Sequence, residues 1–248
     1  MSHARDRLIV ALDVPTAVEA QEIIYELGDS VPFYKVGLQL FTGEGPKFVS
    51  ELVSSGRKVF LDLKLHDIPN TVAEAVKAAC QLGVHMLTVH AAGGSRMLKE
   101  AVEASRSEPI APMILAVTVL TSFSESDLDE SGVARDISHQ VRHLASLAKA
   151  AGCGGVVSSP QEARSLRSAL GTEMAIVTPG IRPAGSEASD QSRISTPGAA
   201  IHAGASHLVV GRPILGAANR LHAAKAIIDE IARSLPELEM EMAGNRPA

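Results

Sequence analysis

Eight short aliphatic runs, separated by segments of helical spacing, constrain this chain more than any other feature. The first four are Leu8-Ile-Val-Ala-Leu12, Phe33-Tyr-Lys-Val-Gly37, Val59-Phe-Leu61 and His85-Met-Leu-Thr-Val89. Met113-Ile-Leu-Ala-Val-Thr-Val119, Gly154-Gly-Val-Val157, Ala175-Ile-Val177 and His207-Leu-Val-Val210 complete the series. Between them, residues 16–27, 42–55, 71–82, 95–105, 136–151, 160–170 and 197–203 have helical spacing, and a last helix is expected at about 215–234. Strands alternating with helices at this period form parallel βαβ units. Eight units in 248 residues fit an α/β fold of one domain, a (β/α)8 TIM barrel spanning residues 1–248. An open doubly wound sheet fits less well, because the first strand-to-helix turn, Asp13-Val-Pro-Thr16, lacks a glycine-rich dinucleotide fingerprint. Residues 236–248 are expected to form a frayed tail.

Composition agrees with a large aliphatic core. Apolar residues make up 46% of the chain, while aromatics are limited to two Tyr and five Phe with no Trp, as in parallel-sheet proteins filled with Val, Ile, Leu and Ala. The net charge of −5 and the lack of a basic tract argue against nucleic acid as a partner. No apolar run approaches the length of a membrane span, and the first residues carry no signal-peptide pattern, so a cytoplasmic protein without membrane partners is expected. Cys80 and Cys153 read as unpaired core thiols.

Polar residues recur where the aliphatic runs end. Asp13 ends the first, Lys35 lies within the second, and Asp62 and Lys64 end the third. His90, Thr118 with Thr121, Ser158 with Ser159, Thr178-Pro-Gly-Ile-Arg182 and Gly211-Arg212 follow the others. In a barrel these ends converge on one mouth, so residues distant in sequence become neighbours. Asp62 and Lys64, two apart in an extended segment, leave the same face, and Asp67 falls in the turn before Pro69. Charges of alternating sign beside a buried strand fit either an ion network that braces the mouth or a chemical site.

Across the mouth, Gly211-Arg212-Pro213-Ile214 after the eighth strand supplies backbone N–H groups and a guanidinium fork. Phosphate is commonly held at this place in barrels. Arg182 and Gln191, in the connection after the seventh strand, are placed to close over it. The two long connections, 121–135 and 182–195, both leave strand C-terminal ends and are candidate lids.

Asp62-Leu-Lys-Leu-His-Asp-Ile-Pro-Asn-Thr71 resembles the signature of the orotidine 5′-phosphate decarboxylases. Leu8-Ile-Val-Ala-Leu-Asp13, Lys35-Val-Gly37, Val117-Thr-Val-Leu-Thr-Ser122, Thr178-Pro-Gly-Ile-Arg-Pro183 and Val210-Gly-Arg-Pro-Ile214 resemble its other blocks, in order, over nearly the whole chain. Leu65 departs from the Phe that bacterial members often carry, an apolar exchange that leaves the lysine in place. The resemblance implies a homodimeric barrel that converts orotidine 5′-phosphate to UMP and CO2 in pyrimidine biosynthesis, without metal or organic cofactor. It implies that Lys64 donates the proton to C6, that Lys35, Asp62 and Asp67 complete the charged array, and that Asp67 and Thr71 reach the neighbouring subunit's site. Asp13 and Lys35 would hold ribose hydroxyls, the Thr121-Ser122 region the pyrimidine edge, and Gln191, Gly211 and Arg212 the phosphate, with Arg182 nearby. Leu63, Leu65, His66, Ile68, Pro69 and Asn70 belong to the same substrate-contacting signature.

Two other readings stand beside this one. Mg2+-dependent 3-keto-L-gulonate 6-phosphate decarboxylases and hexulose-phosphate synthases share an Asp-x-Lys-x-x-Asp core, although the His-Asp-Ile-Pro-Asn-Thr continuation favours the nucleotide enzyme. The other is a phosphate-binding barrel without catalysis. His139 and His143 have the spacing of a helical metal pair, but the segment HQVRH lacks the Glu of HExxH and is expected on a solvated helix face.

Overall fold

The computed structural model describes residues 4–183 and 195–244. The strands are β1 (Leu8–Ala11), β2 (Phe33–Gly37), β3 (Lys58–Leu65), β4 (Met86–His90), β5 (Met113–Val117), β6 (Gly155–Val157), β7 (Ala175–Thr178) and β8 (His207–Val210). All eight are parallel and close on themselves in sequence order, β8 pairing with β1, as the eight aliphatic runs predict. The helices are α1 (Ala4–Arg7), α2 (Ala17–Leu27), α3 (Leu38–Ser54), α4 (Pro69–Cys80), α5 (Gly94–Arg106) and α6 (Glu125–Glu130). They continue with α7 (Ile137–Ala151), α8 (Ala163–Leu170), α9 (Pro197–His202), α10 (Arg212–Leu215) and α11 (Arg220–Gly244).

Two apolar layers follow from strand alternation. Inside the barrel pack Ile9, Ala11, Phe33, Phe60, Met86 and Leu115, with Ala175, Val177 and Val209. The larger layer lies between strands and helices and includes Leu8, Val10, Tyr34, Leu61 and Leu87. Gly155 lets β5, β6 and β7 approach closely: a Cβ there would stand 2.5 Å from the Ala175 carbonyl oxygen. Cys80 and Cys153 are free and buried in the outer layer, as expected. No helix among the described residues is long and apolar enough to cross a membrane.

Several boundaries differ from the sequence expectation for local reasons. Strand β3 runs through Asp62 and Lys64 to Leu65, one residue past the charged end of the third run, because Leu65 still pairs with Val89. The helix expected at 42–55 starts at Leu38 and breaks at Gly45, whose φ is 70°, before Pro46 restarts it. The connection 121–135 carries α6, closed by a capping box in which Ser124 and Asp127 satisfy each other's backbone N–H groups. The last helix runs to Gly244, so the backbone expected to fray from residue 236 is helical up to that point. Its composition of Leu, Glu, Met and Ala favours helix, which outweighs the one proline at 236. His139 lies on the exposed face of α7, its Nδ1 2.5 Å from Oδ2 of the N-capping Asp136.

Helix α1 covers the end of the barrel opposite the mouth, where Lys58 Nζ meets Asp6 Oδ1 at 3.1 Å. Beneath it the His207 ring sits edge-on to Phe33, and its Nδ1 is buried without a hydrogen-bond partner. Burial, reinforced by Arg7 and Lys58, pushes the His207 imidazole from 6.5 down to about 4. The fold therefore holds His207 neutral, and its contribution is complete above the unfolded value of 6.5 and lost as pH falls toward 4. With an allowance for partial solvent access, the loss is on the order of 2 kcal/mol. Urea unfolding at pH 7 and pH 4.5 is expected to show this difference, and the substitution His207→Leu should abolish that part of the pH dependence.

Candidate active site

The inward face of the barrel changes from apolar to polar within one step along three neighbouring strands. Lys35, Asp62 and Thr88 each lie two residues beyond a core residue of the interior, namely Phe33, Phe60 and Met86. Alternation places each pair on one face, so the polar residues form the layer above the apolar one. A cavity of about 530 Å³ opens there, lined by Asp13, Lys35, Asp62 and Lys64 on one side and by Arg182, Gly211 and Arg212 on the other. Its volume is in the range of small-molecule sites.

The charged groups form a chain of alternating sign. Lys35 Nζ lies 2.8 Å from Asp13 Oδ1 and 3.8 Å from Asp62 Oδ2. Lys64 Nζ lies 2.9 Å from the same Asp62 oxygen. Side-chain exposure falls from 58% at Asp13 to 11% at Lys35 and 13% at Asp62, then rises to 31% at Lys64. One nearly buried carboxylate thus serves two ammonium groups, while the terminal Lys64 keeps access to the cavity. Burial, with smaller electrostatic contributions from His66 and Lys64, lowers the His90 pKa, and the His66 and His90 rings stack at 5.3 Å beside this cluster.

Strand β3 reaches this geometry through an irregularity. Leu61 pairs with Leu87 and Leu65 with Val89, so Asp62, Leu63 and Lys64 together oppose Thr88. Lys64 adopts φ 51°, and among the described residues it is the one non-glycine with positive φ. That conformation costs on the order of 1 kcal/mol for a side chain with a Cβ. The buried Thr88 hydroxyl fills the bulge, accepting from the Lys64 backbone N–H at 2.8 Å and donating to Asp62 Oδ1 at 3.0 Å. Sequence reasoning passed over Thr88, although one hydroxyl two residues before His90 on the inward face of an apolar strand was a readable signal.

The other expected residues divide clearly. Thr121 lines the cavity, as do Pro179 and Gly180 of the Thr178–Arg182 block, and Val117, Val157 and Val209 form its apolar floor. Gly211 lies beside Ala11 and Asp13, where a Cβ would meet both at ordinary contact distance. Arg182 is 7% exposed, and the ends of its loop are tied by backbone bonds between Arg182 and Ser195 and between Ser195 and Gly180. Gln191 lies outside the described residues. Leu63 and Leu65 do not line this chain's cavity, because alternation turns them toward the layer beneath the helices. His66, Asp67, Ile68, Asn70 and Thr71 are exposed on the rim with Pro69 half-buried, and the Asp67 carboxylate accepts from the Ile68 N–H at 2.6 Å.

Fold and site together define a (β/α)8-barrel protein of the enzyme class, with its polar residues gathered at the C-terminal ends of the strands. The chain belongs to the orotidine 5′-phosphate decarboxylase / HUMPS family, whose model matches residues 6–227. It is 54% identical over 230 residues to the orotidine 5′-phosphate decarboxylase of Rhodopseudomonas palustris (strain HaA2), covering 93% of this chain and 96% of that protein. The corresponding protein of Moorella thermoacetica (strain ATCC 39073 / JCM 9320) is 50% identical over 235 residues, with 92% and 93% covered. The crystal structure of orotidine 5′-phosphate decarboxylase from Lactobacillus acidophilus has a TM-score of 0.82 at 42% identity and covers 90% of this chain and 98% of that one.

Gly37 offers a local test of the charge chain. A Cβ at this position would stand 2.9 Å from Lys35 Nζ and 3.5 Å from Asp13 Oδ1, and a flexible lysine end yields more easily than backbone. A crystal structure of Gly37→Ala is expected to show Lys35 Nζ displaced from Asp13 Oδ1 beyond the ~4 Å ion-pair limit, with the strands unmoved.

Proposed function

We propose that this protein decarboxylates orotidine 5′-phosphate to UMP and CO2 in pyrimidine biosynthesis. The observation that carries the reading is the Asp13–Lys35–Asp62–Lys64 chain facing Gly211 and Arg212 across one cavity, in a member of this family. Gly211 and Arg212 would hold the phosphate with Arg182 and Gln191, Asp13 and Lys35 the ribose hydroxyls, and Thr121 the pyrimidine edge. This orientation puts C6 of the base beside Lys64.

Loss of CO2 from C6 leaves an electron pair in an sp2 orbital, orthogonal to the ring π system and without a sink. Fixed positive charge is what this chain's own residues offer it. The Lys64 ammonium stabilises the developing carbanion and then donates its proton to C6. Asp62 keeps that ammonium aimed at the cavity and, beside the substrate carboxylate, favours the departure of CO2. The largest enzymatic accelerations require upwards of ~20 kcal/mol of transition-state stabilisation, more than one lysine supplies. Grip on the remote phosphate supplies part of the rest by closing the connection 121–135 over the substrate, while most of the other candidate lid, 182–195, lies outside the described residues. No step in this account calls for a metal or organic cofactor.

We further infer a homodimer in which Asp67 and Thr71 of each chain complete the partner's site. Asp67 stands outside its own cavity, next to Ile68, an apolar side chain 66% exposed on the rim. A cytoplasmic location, a single domain over residues 1–248 and the absence of nucleic-acid or membrane partners belong to the same proposal.

Purified protein is expected to reduce the absorbance of orotidine 5′-phosphate as UMP forms, equally with and without EDTA. Loss of turnover on chelation would instead indicate the Mg2+-dependent sugar-phosphate branch. Lys64→Ala is expected to lower kcat by at least ~10⁴-fold while the circular dichroism spectrum stays native. Mixed Lys64→Ala and Asp67→Ala subunits are expected to regain activity, since a heterodimer contains one intact site. Verified subunit exchange without recovery would return Asp67 to its own chain.

A further inference from the structure

We propose that Thr88 is a positioning residue that sets the reactive geometry of Lys64 through the bulge in β3. The inference rests on the reading of Lys64 as proton donor, and its geometric part stands independently of turnover. Three residues of β3, Asp62, Leu63 and Lys64, lie opposite the single residue Thr88 of β4, so the main-chain ladder cannot supply a partner for each of them. The hydroxyl of Thr88, fully buried, takes over that duty. One oxygen has one proton to give and lone pairs to receive, and both are used here. Its lone pair accepts the Lys64 backbone N–H at 2.8 Å, and its proton goes to Asp62 Oδ1 at 3.0 Å.

The two bonds act on opposite ends of one object. The first holds the backbone of Lys64 at φ 51°, a conformation a lysine does not keep unless its surroundings impose it. The second occupies Oδ1 of Asp62 and leaves Oδ2 for the Lys64 ammonium at 2.9 Å and the Lys35 ammonium at 3.8 Å. Thr88 therefore fixes where the Lys64 side chain starts and where its ammonium ends, without touching the cavity itself. Rigid support of this kind separates a site held in working geometry from one displaced by an ångström. Threonine suits the position because its branched Cβ restricts the rotamer while a strand tolerates the branching.

The test compares Thr88→Val, which keeps the shape and removes the hydroxyl, with Thr88→Ser, which keeps the hydroxyl. Thr88→Val is expected to lower kcat by about 100-fold with KM for orotidine 5′-phosphate within about twofold of the parent, the pattern of support expressed in the transition state. Thr88→Ser should recover kcat to within about fivefold, a rescue that a generic packing role would not produce. The idea is overturned if Thr88→Val keeps kcat within about threefold, if Thr88→Ser is as slow as Thr88→Val, or if KM carries the whole effect. Crystal structures of the same variants supply an arm that needs no turnover. Lys64 leaving positive φ, or its ammonium moving beyond ~4 Å from Asp62, supports the role of Thr88, and an unchanged geometry refutes it. A parent protein inactive on orotidine 5′-phosphate would sink the functional reading while this structural arm still decides the positioning claim. Should Thr88→Val not fold, Thr88→Ala takes its place in both arms.

Discussion

The Asp62 carboxylate is the interaction on which the mouth of the barrel depends. It is nearly buried, and it faces two ammonium groups that approach it from β2 and from its own strand. Two unit charges ~4 Å apart interact by about 4 kcal/mol at an effective dielectric of 20. Without Asp62, Lys35 and Lys64 would be neighbouring like charges with no anion shared between them. With Asp62 in place, attraction replaces repulsion and the line of alternating charge extends outward to Asp13 on the loop after β1. A single carboxylate thereby joins the ends of β1, β2 and β3, and through the Thr88 hydroxyl it also ties in β4.

The barrel is what makes this arrangement stable. Phe33, Phe60 and Met86 fill the interior directly beneath the polar layer, so the charges rest on a dry floor and open on one side to the cavity. Closure of all eight strands fixes the spacing of Lys35, Asp62 and Thr88 to strand geometry rather than to side-chain preference. The left-handed backbone of Lys64 is tolerated for the same reason. A bulge between two paired strands has few alternatives, and Leu61–Leu87 and Leu65–Val89 pairing clamps both of its ends. The opposite end of the barrel solves a different problem: His207 is kept neutral by burial, so the fold there is sensitive to acid.

Much of this was legible because parallel strands buried on both faces read as plain aliphatic runs. Asp13, Asp62, Lys64, Arg182, Gly211 and Arg212 were recognisable because each follows the aliphatic part of such a run, where a barrel gathers its polar groups, and Lys35 because it is a charge inside one. What escaped was local and backbone-borne. Asp62 and Lys64 were read as the end of the third run, but the bulge that sets three residues of β3 opposite Thr88 leaves no trace in the sequence of β3 alone. The break at Gly45-Pro46 lay within a helical pattern, and the capping box of α6 lay in a stretch read as an open connection. The hydroxyl of Thr88 was visible in its apolar run, but its role was not, because the bulge of β3 that it fills appears only when β3 and β4 pair.

The order of side chains along the chain determined the number of βα units, the aliphatic character of the core and the set of charged groups available at the strand ends. Those properties follow from period and polarity, which act locally and leave a trace in the sequence. The tertiary structure alone decided that Asp62 serves two lysines, that Lys64 takes a left-handed backbone, and that Leu63 and Leu65 turn away from the cavity while Asp67 stands on the rim. These depend on the register between β3 and β4, and register is a property of two strands meeting, which neither strand encodes by itself.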